Sequence, residues 1–273
     1  MFKFDFHSHL IPPPGGHFGP VYTYLTDASD NFSGSILKDY VWGFGGIDFL
    51  NGKGGHDRLY GGGGNDYLWG GDGHDWLFGE NGNDRLWGDW GDDRLFGGIG
   101  NDRLYGGRGN DQLYGEDGDD LLVGGGGNDI LDGGKGDDTL KAQNSGDSYR
   151  GNYTFIGGEG DDEIYGGIGA DTFVFSNSHG SEFHGNDIIR AFGMDSLAED
   201  EEQDRIDLSD TAVTNFADLL DGPGSGDGND IYMEQRGADT IIWTSEQGWW
   251  GEGDSIELRG VDMTTLTESD FIF

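Results

Sequence analysis

Gly61-Gly62-Gly63-Gly64-Asn65-Asp66-Tyr67-Leu68-Trp69 is followed without a gap by Gly70-Gly71-Asp72-Gly73-His74-Asp75-Trp76-Leu77-Phe78. The two nonapeptides agree in glycine at places one, two and four, aspartate at place six and leucine at place eight. The same frame divides Gly34 to Lys141 into twelve consecutive units without an insertion, and it returns at Gly157–Tyr165 and Gly166–Val174. A strict short period specifies one structural unit repeated by stacking, since one nonapeptide cannot bury its single aliphatic residue alone.

Place eight reads Val41, Leu50, Leu59, Leu68, Leu77, Leu86, Leu95, Leu104, Leu113, Leu122, Leu131 and Leu140, then Ile164 and Phe173. One inward side chain between two outward neighbours fits a three-residue strand. The six preceding residues are turn, and their glycines permit positive φ and let carbonyls converge. Two nonapeptides make one coil of a parallel solenoid, and coils stack at the strand spacing of about 4.8 Å.

Place six is Asp39 and Asp48, then Asp57, Asp66, Asp75, Asp84, Asp93, Asp102, Asp111, Asp120, Asp129, Asp138, Asp162 and Asp171. Stacking puts alternate ones in a column, about 5 Å apart, where bare carboxylates repel. Calcium between turns removes the repulsion by taking carboxylate and carbonyl oxygens in its six-to-eight coordination, whereas magnesium demands a tighter octahedron.

Composition points the same way. The chain has 273 residues, 33% hydrophobic, with 56 Gly, 53 Asp plus Glu against 15 Lys plus Arg, and a net charge of −38. Such a chain buries too little apolar surface to offset its entropy and self-repulsion. A bound dication that neutralises carboxylates and joins turns is the economical remedy. There is no Cys, hence no disulfide and no thiolate site. The acidity argues against nucleic acid as a partner, and no run is long enough to span a membrane. The opening Met1-Phe2-Lys3-Phe4-Asp5 has no apolar core of a secretory signal.

The repeat resembles the calcium-binding nonapeptide of RTX (repeats-in-toxin) proteins, closely so over residues 34–174. The resemblance implies an all-β fold, a right-handed parallel β-roll (solenoid), with Ca2+ as the cofactor and Asp57 to Asp138, Asp162 and Asp171 as ligands. The first units are degenerate: Ser35-Ile36-Leu37-Lys38 replaces most of the glycines, and weak or absent calcium is expected in that coil. Lys53 and Glu80 stand where place two is usually glycine. Residues 1–33 are expected as a lead-in, with Asp30 and Phe32 a decayed capping unit, and Ala142 to Ile156 as an irregular loop.

Residues 175–273 are expected as a β-rich C-terminal cap. Asp187-Ile188-Ile189-Arg190-Ala191-Phe192 and Asp204-Arg205-Ile206-Asp207-Leu208-Ser209 resemble the cap of serralysin-type proteases. Asp239–Trp243 and Ser255–Leu258 read as antiparallel strands. The ending Asp270-Phe271-Ile272-Phe273 resembles the export signal of type I secretion substrates. The resemblance therefore implies the type I machinery as partner and an extracellular location reached without an N-terminal signal peptide.

No catalytic constellation stands out. H-E-x-x-H and G-x-S-x-G are absent. His179-Gly180-Ser181-Glu182-Phe183-His184 has the wrong spacing for two ligands on one helical face. Asp5-Phe6-His7-Ser8-His9 matches the start of some amidohydrolase metal sites, but too few residues precede the roll to supply the barrel those enzymes need. His56 and His74, at place five, read as solvated.

Places seven and nine face outward and hold rings: Trp42, Tyr60, Phe78, Phe96 and Tyr114 on one sheet, and Trp69, Trp87 and Tyr105 on the other, beside Arg58, Arg85, Arg94 and Arg103. Such a ladder suits a sugar, a surface or another copy of the chain, or it stabilises strands by cross-strand stacking. The function expected is that of a secreted calcium-binding protein, folding on export, with a structural or adhesive role. A polysaccharide-binding roll module, or the C-terminal part of an RTX enzyme whose catalytic domain is missing, stays open as an alternative.

Overall fold

The computed structural model describes residues 20–143, 151–175, 185–190, 204–208, 232–243, 255–261 and 263–272. Each unit's place-eight side chain enters the core and its neighbours look out. In Arg94–Ile99, Leu95 is fully buried while Arg94 and Phe96 are half-buried. Consecutive strands go to opposite walls, building an eleven-stranded and a twelve-stranded sheet among the described residues.

Register sets the core. Each regular strand lies parallel to the one eighteen residues on, so that Leu59, Leu77, Leu95 and Leu113 form one column. Leu50, Leu68, Leu86, Leu104 and Leu122 form the facing one. One continuous cluster, from Val41 to Phe271, fills the space between the walls. The architecture is an all-β parallel solenoid. Two single-turn 3-10 segments, Met263–Thr265 and Glu268–Asp270, are the helical exceptions among the described residues.

Stacking extends past both ends of the regular repeat. Val21–Tyr24 pairs in parallel with Asp39–Trp42, and Asn31–Ser33 with Phe49–Gly55, so the lead-in already carries coil structure from residue 21. At the far end Asn186–Arg190 stacks on Glu163–Tyr165, and Ser255–Arg259 follows in parallel. Tyr232–Arg236 and Asp239–Trp243 then close that wall as antiparallel strands. Arg205–Asp207 and finally Phe271–Ile272 close the other wall.

The expected loop over Ala142 to Ile156 is corrected in its second half. Thr154–Glu159 is a regular strand with Phe155 beside Leu131, and Phe173 follows on the next strand. Partners across this point are 24 residues apart instead of 18, so the interruption is an insertion of six residues, after which the phase resumes. Phe155 takes the leucine place and Tyr153 the aspartate place.

Candidate metal centre

All fourteen predicted place-six aspartates, Asp39 to Asp171, are buried, with 0–3% of their surface exposed. From Asp48 on, one oxygen of each is engaged in the same way, accepting an amide of the preceding coil. The Asp75 amide donates to Asp93 Oδ1 at 2.7 Å, Asp93 to Asp111 Oδ1 at 2.8 Å, and Asp84 to Asp102 Oδ1 at 2.6 Å. Each column of aspartates is thus tied together by amide–carboxylate bonds, one per coil except where Tyr153 follows Asp129.

The other oxygen differs. In Asp48, in each ninth residue from there to Asp138, and in Asp162, Oδ2 is buried without a hydrogen-bond partner. An ionised oxygen in that state costs several kcal/mol, so it recruits a proton or a cation. Burial, reinforced by the flanking carboxylates, pushes Asp93, Asp102 and Asp111 up to about 8 and Asp138 to about 9, against the lowering effect of the amide bond.

Glycine at place one shapes the space in front of Oδ2. A Cβ on Gly88 would lie 2.5 Å from Asp93 Oδ2 and 2.5 Å from the Gly106 carbonyl of the next coil. On Gly79 it would lie 2.4 Å from Asp84 Oδ2 and 2.5 Å from the Gly97 carbonyl. Side-chain and main-chain oxygens from successive coils therefore converge on a volume that any Cβ would fill. Glycine at place four serves the stacking: Gly82 has φ +139°, and a Cβ there would lie 1.6 Å from the Gly64 carbonyl oxygen.

Three corners are built differently. Asp39 Oδ2 accepts the Ser35 amide at 2.9 Å, Asp171 Oδ2 accepts the Gly167 amide at 2.8 Å, and Asp30 Oδ2 accepts the Thr26 amide at 2.8 Å and the Thr26 hydroxyl at 2.7 Å. The sequence reading put Asp171 with the ligands and left Asp48 out; the corner geometry groups them the other way. Tyr153 also went unread. It stands in the column between Asp129 and Asp171, its amide donating to Asp171 Oδ1 and its hydroxyl to the Gly125 carbonyl at 2.6 Å.

A second ladder lies at place five, where His56 and His74 were expected only to be solvated. The Asn83 amide donates to Asn65 Oδ1, and Asn101 to Asn83 Oδ1. Here the later coil donates to the earlier one, opposite to the aspartates. His56 and His74 belong to this ladder: each accepts, through Nδ1, the amide of the residue eighteen on, and their rings stack at 5.0 Å.

The rings at place nine stack along each wall. Trp42, Tyr60, Phe78, Phe96 and Tyr114 follow one another at 4.7–5.3 Å with interplanar angles of 2–8°. Trp69, Trp87 and Tyr105 do so at 5.0 and 5.7 Å. Trp76 lies between Arg58 and Arg94, whose guanidinium carbons are 4.6 and 4.8 Å from its ring centre. The faces of the rings cover one another, so their edges point to solvent.

The model of the RTX calcium-binding nonapeptide repeat matches in four copies, at residues 42–77, 69–104, 105–140 and 149–177. The chain belongs to the RTX repeat family. Among solved structures, it is 30% identical to the AlgE6R3 subunit of the Azotobacter vinelandii mannuronan C5-epimerase, covering 57% of this chain and 78% of that one at a TM-score of 0.35. It is 19% identical to the extracellular lipase LipA of Serratia marcescens, where 95% of this chain matches 40% of that chain at a TM-score of 0.36. No curated protein matches the chain.

Calcium is the ion this repeat binds, and the corners suit it. Buried unpartnered Oδ2 atoms, carbonyl oxygens beside them and a Cβ-free cradle form an all-oxygen donor set for a hard cation. No group of three or more acidic or histidine side chains able to hold a metal occurs among the described residues; the other oxygens at each corner are main-chain carbonyls such as that of Gly106 beside Asp93. Proteins carrying RTX repeats are typically secreted or extracellular. No helix among the described residues is long and apolar enough to cross a membrane.

Proposed function

We propose that this RTX protein is secreted and that calcium entering the aspartate corners drives its folding outside the cell, where it serves a structural or adhesive role. The observation that carries the reading is the row of buried Oδ2 atoms without partners. Asp48, Asp57 to Asp138 and Asp162 would hold the ions together with main-chain carbonyls. Bound calcium supplies the positive charge that the stacked carboxylates lack; the leucine columns and amide ladders then hold successive coils in register.

Magnitudes support a collective switch. For a site in the extracellular affinity class of 10⁻⁴–10⁻³ M, about millimolar calcium stabilises by roughly 0.4–1.4 kcal/mol. One corner is negligible, but a dozen together reach the 5–15 kcal/mol scale of domain stability. Inside a bacterium, where calcium is scarce, the same chain would stay extended and suited to threading through a type I exporter. Circular dichroism during calcium titration tests the reading: a cooperative gain of β-structure is expected, and equal folding in excess chelator would refute it.

A sugar-binding role for the ring ladders has less support. A sugar stacks on a ring face, and the inner members of each ladder have both faces covered by their neighbours. Stabilisation of the walls is the role that geometry favours.

A further inference from the structure

We infer that the backbone at place two decides which corners take calcium, and that the chain therefore holds a closed set of metal-free corners at its ends. The inference rests on calcium being the ion the corners take.

The two kinds of corner separate on an independent feature. In every unit whose Oδ2 lacks a partner, the place-two residue is left-handed; in the three units whose Oδ2 is satisfied, it is not. The left-handed residues include Phe44, Lys53, Glu80, Asp89 and Glu116, with φ between 71° and 76°. For residues with a side chain that conformation is strained, because Cβ crowds the following carbonyl oxygen. Its recurrence means that coil stacking imposes it. Conversely, Gly167 is free to be left-handed and is not; a Cβ there would lie 2.8 Å from the Ala142 Cβ and 3.1 Å from the Tyr153 ring.

The hydrogen bonds explain the link. In the open units from Asp57 on, the strand continues into place two and beyond, as Arg94–Ile99 and Gln112–Asp117 do, and the place-two amide is directed at the next coil, as Gly125 donates to the Ala142 carbonyl at 2.7 Å; before the Asp48 unit the strand ends at Trp42, and there the left-handed Phe44 alone marks the open corner. Nothing is left for Oδ2. In closed units the preceding strand stops at place nine, at Tyr24, Ser33 and Tyr165, and the place-two amide turns back onto its own aspartate. That amide supplies the partial positive charge that calcium supplies elsewhere. Asp30, Asp39 and Asp171 are thus capped from within, whereas Asp48, in the coil where degenerate glycines suggested no metal, is an open corner.

Native mass spectrometry of the full chain, counting bound calcium, tests this. The unaltered protein should hold no more than twelve ions. Asp39→Asn and Asp171→Asn should each keep the full count, and Asp93→Asn should lose at least one. A count above twelve, loss of an ion from either closed-corner variant, or a full count in Asp93→Asn would overturn the inference while leaving calcium-driven folding intact. A protein that binds no calcium at all would overturn both. Should Asp93→Asn fail to fold, the total count and the two closed-corner variants still decide.

Discussion

The middle of the roll and its ends share one frame of aspartate and buried aliphatic residue, yet they satisfy it by different means. Around Asp93 the second carboxylate oxygen faces a glycine cradle and a carbonyl of the next coil. Around Asp39 and Asp171 it faces an amide of its own turn. On the proposed function, the middle would depend on a dissolved cation, while the ends carry an amide in its place. A repeat protein can in this way be conditional along most of its length and still have terminal coils that need no ion, which suits elements that stacking must start from or finish on.

The largest test of that contrast is pH without metal. Burial raises the open-corner carboxyls above the ordinary 3.8, to about 6 for Asp75 and about 9 for Asp138. Protons therefore bind the folded form more tightly. The stabilisation is complete below the ordinary carboxylate value and is lost progressively as pH climbs from there through the folded values of about 6 to 9, at roughly 2.7 kcal/mol for a carboxyl raised from about 4 to about 6. Chelated protein should show more β-structure by circular dichroism at pH 5 than at pH 8. The reverse order would mean that the corners are not desolvated.

Next in size is backbone contact between coils. Gly82→Ala puts a Cβ against the Gly64 carbonyl and should lower calcium-saturated stability by about 2–4 kcal/mol in chemical denaturation. Gly237→Ala, also at positive φ but with nothing within 4 Å, should cost only about 1 kcal/mol. Equal losses would mean that backbone strain, and not coil contact, fixes the middle.

Phe78→Ala removes two stacked contacts, with Tyr60 and with Phe96, and should cost about 1–2 kcal/mol. If the loss is nil, the ladder is decoration on the walls and its role lies elsewhere. The smallest effect is a gain. Glu80→Gly relieves a left-handed residue and should raise stability by about 0.5–1 kcal/mol, the relief being partly offset by glycine's extra freedom in the unfolded chain. A loss would show that the Glu80 side chain contributes more than its backbone costs.

The repeat frame, the two leucine columns, the parallel solenoid and the aspartate corners were all legible in the sequence. They follow from a period of nine and from residue types whose preferences act locally. Tyr153 and Phe155 were missed because they replace both markers of the frame at once, just after a six-residue insertion. The place-five ladder was missed because Asn, Asp and His share no pattern except the ability to accept an amide hydrogen bond from the next coil.

What only the tertiary structure decided is the state of each corner. Lys53, Glu80 and Glu116 adopt a backbone that favours glycine, and Gly167 declines it. The chain neighbours of those residues do not determine this. The choice between a turn's own carboxylate and the carbonyl eighteen residues later exists only once the coils have stacked, so composition and spacing name the aspartates but contact between coils determines which of them keep an unpartnered oxygen.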